Sequence, residues 1–415
     1  MDGKPKTVVV IGAGAIGVCS ALYLLRDGHR VILLDREGPG EGASFGNAAV
    51  IGEEAVIPVA TPGILWKVPG MLMDPLGPLA IRWSYLPRLM PWLLRFVAAS
   101  REQEVERISS ALASLMKGNL AAYEPLVEWA GEPGIIRRTG WLCPYETKEG
   151  LERYRPMLEL QRRRGVALEE VPAEEIRQME PALKGDFHRA IYYPNVGYAA
   201  NNFRLIRTLA ETFQREGGEL RLCEVRDFEI GDAGPRAVVT SEGPIDCDHV
   251  VIAAGAWSKP LAAKLGSRVP LDTERGYHVH LPNPGTKPRT AIYSTEKGFA
   301  ITPLEDGLRA AGTVELGGLD APPNWQRAEV LRKHLKAWFP DADDTGASQW
   351  MGFRPSMPDS LPVISRAPKH PNAVFAFGHG HCGLMLGART GQLVADLVAE
   401  RPSDVDLAPF RADRF

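Results

Sequence analysis

The stretch TVVVIGAGAIG, residues 7–17, decides the fold of this chain. Its run of β-branched residues predicts a buried parallel strand, and the residues that follow predict a helix. The glycines of its GxGxxG spacing are Gly12, Gly14 and Gly17. Such glycines allow a tight turn, close approach of the backbone to a pyrophosphate and close packing of helix on strand. A second strand, RVILLD, ends at Asp35, where an acid can accept the ribose hydroxyls of an adenosine. This order of elements predicts a dinucleotide site; the alternative is a glycine-rich turn without a ligand.

Two later segments have the same character. DHVVIAAGAWS, residues 248–258, is a predicted strand that ends in small residues, and residues 373–400 predict a strand, a glycine-rich turn and a long helix. The loop EGASFGNAA, residues 41–49, also lets the backbone pass close to a ligand, because its residues are small. These separated turns suit a long, extended cofactor that runs through the fold.

Five motifs carry a family resemblance. In sequence order they are GAGAIG, ASFGNAA, AAGAWS, GFRPSMPDSLPVI and FGHGHCGLMLG. The set resembles the FAD-dependent D-amino-acid oxidase and dehydrogenase superfamily, which includes glycine and sarcosine oxidases, and it covers essentially the whole chain. The GHGHxGL form is most similar to bacterial D-amino-acid dehydrogenases of the D-proline and hydroxyproline branch. The resemblance implies FAD rather than NAD.

The resemblance also implies a set of residues that bind FAD. These residues are Gly12, Gly14, Ala15, Ile16, Gly17, Asp35, Arg36, Ser44, Asn47, Ala48, Val225, Ala254, Gly255, Trp257, Gly378, His379, Gly380, Gly383 and Leu384. Some sarcosine oxidases attach FAD through a cysteine, but their cysteine does not lie in the glycine turn that holds Cys382, so we expect non-covalent FAD. The loop departs from the family at Ala49, where a glycine is usual, and this leaves the local flavin contact open.

Length and composition favour a large globular protein with two domains. The 415 residues are 45% hydrophobic, and a net charge of −3 gives no footprint for nucleic-acid binding. Five scattered cysteines without a CxxC pair argue against a disulfide framework, a zinc site or a thiol–disulfide reductase. The first residues lack the pattern of a secretory signal, and no long apolar run predicts a membrane-spanning helix. We therefore expect a cytoplasmic protein.

Residues 58–100 differ in composition from the rest of the chain. Prolines interrupt this segment repeatedly, so it cannot form one regular element, and it is rich in Trp, Leu and Met. Its basic residues are Lys67, Arg82, Arg88 and Arg95. Basic residues beside Trp and Leu suit a membrane boundary, so one interpretation is a segment that contacts the inner face of the cytoplasmic membrane or a partner. The other interpretation is an irregular segment that packs only on its own protein.

The remaining patterns predict an α/β protein with a discontinuous nucleotide-binding domain. Residues 101–131 predict one long amphipathic helix, residues 134–146 a pair of strands, and residues 201–225 a helix followed by a strand. Residues 268–316 predict successive strands of an antiparallel sheet. We predict a Rossmann-like FAD-binding domain that comprises residues 1–57, 166–262 and 350–415. The substrate domain, with an antiparallel β-sheet, comprises residues 58–165 and 263–349.

Arg354, within GFRPSMPDSLPVI, is the leading candidate for substrate binding. An amino acid presents a carboxylate, and the planar guanidinium of arginine binds a carboxylate bidentately. In the resembling family the arginine of this motif binds that carboxylate over the flavin, so the resemblance implies the same role for Arg354. The alternative is a structural ion pair.

The glycine turn at residues 378–383 carries two further candidates, His379 and His381. Each either lies beside the substrate or flavin, or holds the shape of the loop through a hydrogen bond. A helix that begins at this turn would direct N–H groups and positive dipole at the flavin pyrimidine ring and stabilise its anionic reduced form.

The strand around GYHVHL supplies the last candidates. Alternation places Arg275 and Tyr277 on one face and His278 on the other, and one face should cover the pocket. The two HxH pairs of the chain have no carboxylate or cysteine at ligand spacing, so we expect no metal site. We assign catalysis to Arg354, His379 and Tyr277, and substrate binding to Arg354, Arg275, Tyr277, His278 and His381.

Together these observations predict a flavoenzyme that oxidises the Cα–N bond of a D-amino acid, D-proline or D-hydroxyproline among the candidates, to an imine. Flavin N5 would accept the hydride, and the protein would supply orientation and electrostatics. We expect electrons to pass to a quinone or another non-oxygen acceptor. The alternatives are a glycine- or sarcosine-type oxidase that uses oxygen, and a flavin-binding subunit of a larger complex, against which Arg354 counts. The sequence leaves the oligomeric state open.

Overall fold

The structure is a computed structural model that describes residues 5–64, 70, 77 and 79–415. The helices with described bounds are α1 (Ala15–Arg26), α2 (Leu86–Ala99), α3 (Glu102–Met116), α4 (Asn119–Trp129), α5 (Lys148–Arg163), α6 (Ala173–Met179), α7 (Asn202–Arg215), α8 (Ser258–Lys264), α9 (Gln326–Trp338) and α10 (Gly387–Ala399). The strands are β1 (Thr7–Ile11), β2 (Arg30–Asp35), β3 (Val50–Gly52), β4 (Leu79–Ile81), β5 (Ile136–Arg137), β6 (Trp141–Tyr145), β7 (Glu169–Pro172), β8 (Arg189–Tyr193), β9 (Val196–Ala199), β10 (Glu219–Leu222), β11 (Val225–Gly231), β12 (Gly234–Thr240), β13 (Gly243–Asp246), β14 (His249–Ile252), β15 (Asp272–Leu281), β16 (Ala291–Ser294), β17 (Phe299–Leu304), β18 (Gly307–Leu316), β19 (Ser348–Ser356), β20 (Val363–Ala367) and β21 (His370–Phe377).

A six-stranded sheet in the order β10-β2-β1-β14-β21-β20 forms the nucleotide-binding half. Its strands run parallel except β20, which pairs antiparallel with β21. The β-branched run of β1 is buried on both faces: Val8 and Val10 pack with α1, α7 and α10, whereas Val9 and Ile11 pack toward α8 and the small sheet β11-β12-β13. Burial on both faces is the reason that the parallel strands read as continuous apolar runs.

A nine-stranded sheet forms the second half of the molecule. Its order is β19-β15-β18-β17-β16-β6-β8-β7, with β4 beside β18. The strands predicted for residues 268–316 are confirmed in it, and most of them pair antiparallel. Strands β7, β8 and β19 also belong to this sheet, although the predicted domain ranges place β7, β8 and most of β19 in the nucleotide-binding domain. Sheet membership therefore differs from those boundaries, because pairing partners are chosen by tertiary contacts that a strand pattern does not encode.

Two local predictions need correction. The single helix predicted for residues 101–131 is two helices, α3 and α4, because Gly118 adopts a left-handed backbone conformation with φ of 81° that ends the helical path. The strands predicted for residues 134–146 exist as β5 and β6, but β5 pairs with β9, and β6 pairs with β8 and β16. Helix α5 follows β6 as one continuous element over Lys148–Arg163.

The proline-rich segment contains β4, a short 3₁₀ turn at Trp83–Tyr85 and α2 among its described residues. Helix α2 buries Leu89 and Trp92, and its outer face carries the exposed side chains of Met90 and Leu94. Lys67, one of the basic residues predicted to contact a membrane, lies outside the described residues. In the described part of the chain, no helix has both the length and the apolarity that a membrane crossing requires.

Candidate functional site

A cavity of about 390 Å³ lies between the two large sheets. Most of the residues predicted to bind the cofactor line it. They are Gly12, Gly14, Ala15, Ile16, Asp35, Arg36, Ser44, Asn47, Ala48, Val225, Ala254, Gly255, Trp257, His379, Gly380, Gly383 and Leu384. The lining continues from the β1–α1 turn to the glycine turn after β21, which is the path that an extended dinucleotide requires.

The glycines of the first turn allow close packing that no larger residue could replace. A Cβ on Gly12, whose φ is 102°, would lie 2.5 Å from the carbonyl oxygen of Ala253. A Cβ on Gly17 would lie 1.7 Å from the carbonyl oxygen of Gly12. Gly17 does not line the cavity, so its part in the site is to let α1 pack on the turn, while Gly12 and Gly14 leave room for a ligand.

Asp35 ends β2 at one end of the cavity. One carboxylate oxygen accepts a 2.7 Å hydrogen bond from the backbone N–H of Ala13, and the other accepts hydrogen bonds from the N–H groups of Glu37 and Gly38. These contacts fix the carboxylate against the glycine turn. The two hydroxyl groups of a ribose would therefore share the Asp35 carboxylate with the backbone N–H groups that hold it.

Arg36 and Trp257 close the cavity beside Asp35. The guanidinium of Arg36 lies over the Trp257 ring, 4.0 Å from its centroid, a cation–π geometry. Both side chains line the cavity, so they form a flat, amphipathic wall of the kind that an aromatic base can pack against.

The loop after β2 is held in shape by its own side chains. Ser44 Oγ accepts a 2.9 Å hydrogen bond from the N–H of Ala15 at the start of α1. Asn47 Oδ1 accepts a 2.7 Å hydrogen bond from the N–H of Ala49, and Ala49 has a φ of 60°. Ala49 is the position where the resembling family has glycine, so the alanine here adopts the left-handed conformation that explains that preference, and the Asn47 bond stabilises it.

The turn after β21 differs from the prediction in one respect. A short 3₁₀ turn at Gly380–Cys382 faces the cavity, and α10 begins only at Gly387. The N-terminus of α10 is therefore not the group that lines the cavity at this turn. Gly378, with a φ of 84°, does not line the cavity; it lies against Met357 and reverses the chain after β21.

Arg354 lines the cavity near this turn. Its Nη1 donates to the carbonyl of Thr313 at 2.8 Å, and its Nη2 donates to the carbonyl of Gly312 at 3.2 Å. A Cβ on Gly276 would lie 2.2 Å from Nη2, so the guanidinium packs directly on the backbone of β15. The two carbonyl bonds use one side of the planar fork and leave donors for a carboxylate on the other.

A bulge in β18 provides these carbonyls. Arg275 pairs with Glu315 but Tyr277 pairs with Gly312, so β18 has one extra residue at this point. Thr313 lies in the bulge with a φ of 54°, a left-handed conformation that is rare for a β-branched residue. The bulge turns two successive carbonyls toward Arg354 and so fixes its guanidinium at the cavity wall.

His379 and His381 line the same cavity as Arg354. His379 is buried and shares a 3.0 Å hydrogen bond between its Nε2 and the hydroxyl of Thr390, and burial lowers its pKa to about 3. The imidazole of His381 is exposed toward the cavity, and the surrounding protein, with Arg354, lowers its pKa to about 4. Both rings are therefore neutral near pH 7 and can offer only neutral hydrogen bonds.

The structure does not bring Arg275 and Tyr277 to the cavity. The fully buried Arg275 donates to the carbonyls of Gly318, Ala321 and Pro322. These hydrogen bonds stabilise the loop of residues 318–322. The Tyr277 hydroxyl donates to the carboxylate of Glu315, and its ring packs in the core beneath α9. Alternation along β15 points both side chains away from the cavity, so we do not retain their predicted roles in substrate binding and catalysis.

His278 lies behind the cavity wall. Its Nδ1–H donates to the carbonyl of Gly46 at 3.0 Å, and its ring stacks on Trp350 with centroids 5.2 Å apart. Burial lowers the pKa of His278 to about 3. It supports the loop that would contact the cofactor and does not line the cavity itself.

Several lining residues were not predicted from the sequence. Trp350 lines the cavity and packs so closely on Gly46 and Gly352 that a Cβ on either would lie 2.0 Å from its ring. Gly276 also lines it. A glycine inside a strand indicates close approach of another group, so Gly276 and Gly352 were detectable signals, whereas nothing in the local pattern marks Trp350.

The comparisons with known proteins agree over the whole chain. The family described as FAD dependent oxidoreductase matches residues 7–397. The chain is 43% identical over 417 residues to a D-amino-acid oxidase from Bradyrhizobium diazoefficiens, with 99% of each chain covered. It is 34% identical over 421 residues to a D-amino acid dehydrogenase from Paramagnetospirillum magneticum, with 98% of each covered. The crystal structure of glycine oxidase from Geobacillus kaustophilus shares the fold, with a TM-score of 0.76, 24% identity and 99% of each chain covered.

Proposed function

This chain belongs to the FAD-dependent oxidoreductase family, and from that premise we propose that it oxidises the Cα–N bond of a D-amino acid. The two relatives named above, called a D-amino-acid oxidase and a D-amino acid dehydrogenase, support this substrate class. The observation that carries the proposal is the guanidinium of Arg354, fixed by two carbonyls in the wall of the FAD cavity with donors left for a carboxylate.

FAD, when bound, supplies the acceptor for the hydride from Cα. The glycines of the β1–α1 turn, Asp35 and the Arg36–Trp257 wall would hold its adenosine diphosphate part, and the turn around Gly380 would contact the flavin. We propose that the cofactor is non-covalent. Cys382 is buried, and burial raises the pKa of its thiol, so it lacks the thiolate character that attachment needs.

The protein's own contribution is orientation and electrostatics. Arg354 would bind the substrate carboxylate and so place Cα, because a bidentate pair fixes both position and angle. The neutral rings of His379 and His381 leave Arg354 as the charged group among these three, so an anion is attracted to one end of the cavity. We propose D-proline and D-hydroxyproline as substrates, supported by the GHGHxGL form of the glycine turn.

A substrate screen tests the proposed function. We expect the purified protein to oxidise a D-amino acid from a panel that includes D-proline, D-hydroxyproline, D-alanine, glycine and sarcosine, with the L-enantiomers inactive. Dye reduction and oxygen uptake should be measured side by side. Turnover restricted to glycine and sarcosine with rapid oxygen uptake would replace this proposal with the oxidase alternative.

For the electron acceptor we propose a quinone, reached by peripheral association with a membrane. The support is the outer surface around α2. Trp83 is 69% exposed and Leu94 is 65% exposed, and Met90 lies between them at the spacing of one helical face, with Arg88 and Arg95 exposed beside them. Apolar side chains flanked by arginines suit an anionic interface. The name of the Bradyrhizobium relative, an oxidase, supports oxygen as the second candidate.

We predict that the surface around α2 binds anionic vesicles. The double variant Trp83→Ser/Leu94→Ser should co-sediment with anionic liposomes several-fold less than the parent protein, because the two most exposed apolar side chains of this surface are lost. Leu222→Ser/Ile230→Ser is the matched control, since these side chains are also exposed but lie on β10 and β11 rather than around α2. Equal sedimentation of both variants, or a parent protein that ignores anionic liposomes and turns over as fast with oxygen as with quinone, would contradict the prediction.

A further inference from the structure

A second, small cavity of about 20 Å³ adjoins the main one at the glycine turn after β21. The two cavities share His379, Gly380 and His381 in their walls. A space of about 10–15 Å³ is enough for one water molecule, so this cavity has room for one small group, such as an ammonium. It lies where part of a substrate held by Arg354 could extend.

The walls of the small cavity are mostly apolar. Its apolar lining consists of Ala55, Ile57, Val59, Phe96, Leu112 and Met357. Among the described residues that line this cavity, Glu274 carries the single carboxyl group. Its side chain is only 8% exposed. A carboxyl buried in such surroundings is costly unless a partner stabilises it.

Glu274 and Arg354 are direct cross-strand neighbours. They pair in register between β15 and β19, an arrangement that brings Cβ atoms within about 4.5–5.5 Å of each other. Yet the Arg354 guanidinium leans over Gly276 toward β18, where it donates to two carbonyls. Glu274 instead has a hydrogen bond with Ser356. Arg354 therefore lines the main cavity and Glu274 lines the small cavity next to it, and each has capacity to bind a ligand.

Arg354 is the charged group that acts on Glu274, because the other titratable side chains nearby are neutral. Burial raises the pKa of Glu274, and Arg354 opposes that rise. His379 and His381 from the glycine turn are neutral, because desolvation by the surrounding protein lowers the pKa of each ring. Tyr293, which lies near Arg354, is also neutral, because burial raises its pKa to about 12. Residues 55–59, α2 and α3 contribute apolar side chains to this cavity.

We propose that Glu274 binds the ammonium group of the substrate and accepts its proton before oxidation. This proposal rests on the proposed function and extends it. An amino acid is a zwitterion, and the adjacent Arg354 and Glu274 complement its carboxylate and its ammonium. An N–H bond of the substrate breaks, an O–H bond forms on Glu274, and the nitrogen keeps the electron pair. That lone pair then supports departure of hydride from Cα. The apolar walls around the carboxyl exclude water that would otherwise compete for this proton.

The test compares Glu274→Gln with Glu54→Gln in the FAD-loaded protein. Glutamine keeps the size of the side chain but cannot accept the proton. Glu54 is an equally buried carboxyl, with a pKa raised to about 7 by burial, that lines neither cavity. At pH 7 we expect kcat/KM for D-proline to fall on the order of 10²-fold in Glu274→Gln and to remain near the parent value in Glu54→Gln. The deficit should shrink as the pH approaches the pKa of the free substrate amine, because the substrate then arrives deprotonated.

A binding measurement separates this role from structural damage. Cyclopentanecarboxylate has the ring and carboxylate of proline without the nitrogen, and calorimetric titration measures its affinity without turnover. We expect Glu274→Gln to bind it at least as tightly as the parent protein, since a nearby negative charge is removed. A loss that is the same at every pH, together with weaker binding of this acid, would overturn the proposal. A parent protein that oxidises no D-amino acid at any pH would instead overturn the proposed function.

Discussion

Arg354→Leu will lower kcat/KM for a D-amino acid by on the order of 10²-fold or more, with the FAD content unchanged. Arg354 lines the cavity and donates to the carbonyls of Gly312 and Thr313, and we propose that its remaining donors bind the substrate carboxylate. Leucine removes that bidentate contact and leaves a carboxylate without a partner in a desolvated space. Steady-state kinetics over a range of substrate concentrations measures the loss.

Two further variants interpret this result. Arg354→Lys keeps the charge without the planar fork, so it should recover only part of the activity. Arg366→Leu is the matched control, because Arg366 is also partly buried and also donates to a backbone carbonyl, that of Leu397, but does not line the cavity. Near-parental turnover of a D-amino acid by Arg354→Leu would remove this residue from the mechanism.

Gly17→Ala is expected to abolish stable FAD binding or to prevent folding. The added Cβ would lie 1.7 Å from the carbonyl oxygen of Gly12, inside any allowed contact, and this backbone group cannot move away cheaply. Overpacking in a rigid site costs about 1–3 kcal/mol, and here it displaces the start of α1 from the turn that would hold the pyrophosphate. The measurement is the ratio of FAD to protein, with FAD released into the supernatant by acid precipitation.

Gly134→Ala provides the control for this variant. A Cβ at Gly134 would meet no atom within 4 Å, and its φ lies outside the left-handed range. It should bind FAD as the parent protein does. A normal FAD ratio in Gly17→Ala would contradict the packing account, and flavin that stays on the acid-denatured parent chain would contradict non-covalent attachment.

Local patterns predicted the elements of the fold well. The strand–glycine–helix order at residues 7–35 needs no distant information, because each residue's conformational preference agrees with its neighbours'. Pairing was less accessible. Strand β6 pairs with β8 and β16 rather than β5, and Gly118 splits a helix whose apolar spacing continues across the break. These outcomes depend on tertiary contacts that periodicity does not contain.

The site shows the same division. Arg354 could be proposed because a compact motif carries it, and the structure places it in the cavity wall. The face of β15 could not be chosen, since alternation alone leaves Arg275 and Tyr277 as plausible as their neighbours. The face of β15 that lines the cavities is known only from its pairing with β18 and β19, which brings Gly276 and Glu274 to that side.

The most direct measurement of the central claim is anaerobic mixing of the FAD-loaded protein with single enantiomers of an amino acid, followed through the yellow absorbance of the flavin. We predict that the D-enantiomer bleaches the flavin in the parent protein, that the L-enantiomer does not, and that Arg354→Leu is bleached on the order of 10²-fold more slowly at low substrate concentration. Two results would contradict the account. The flavin could stay oxidised with every D-amino acid, or the substrate could reduce the flavin of Arg354→Leu as fast as that of the parent protein.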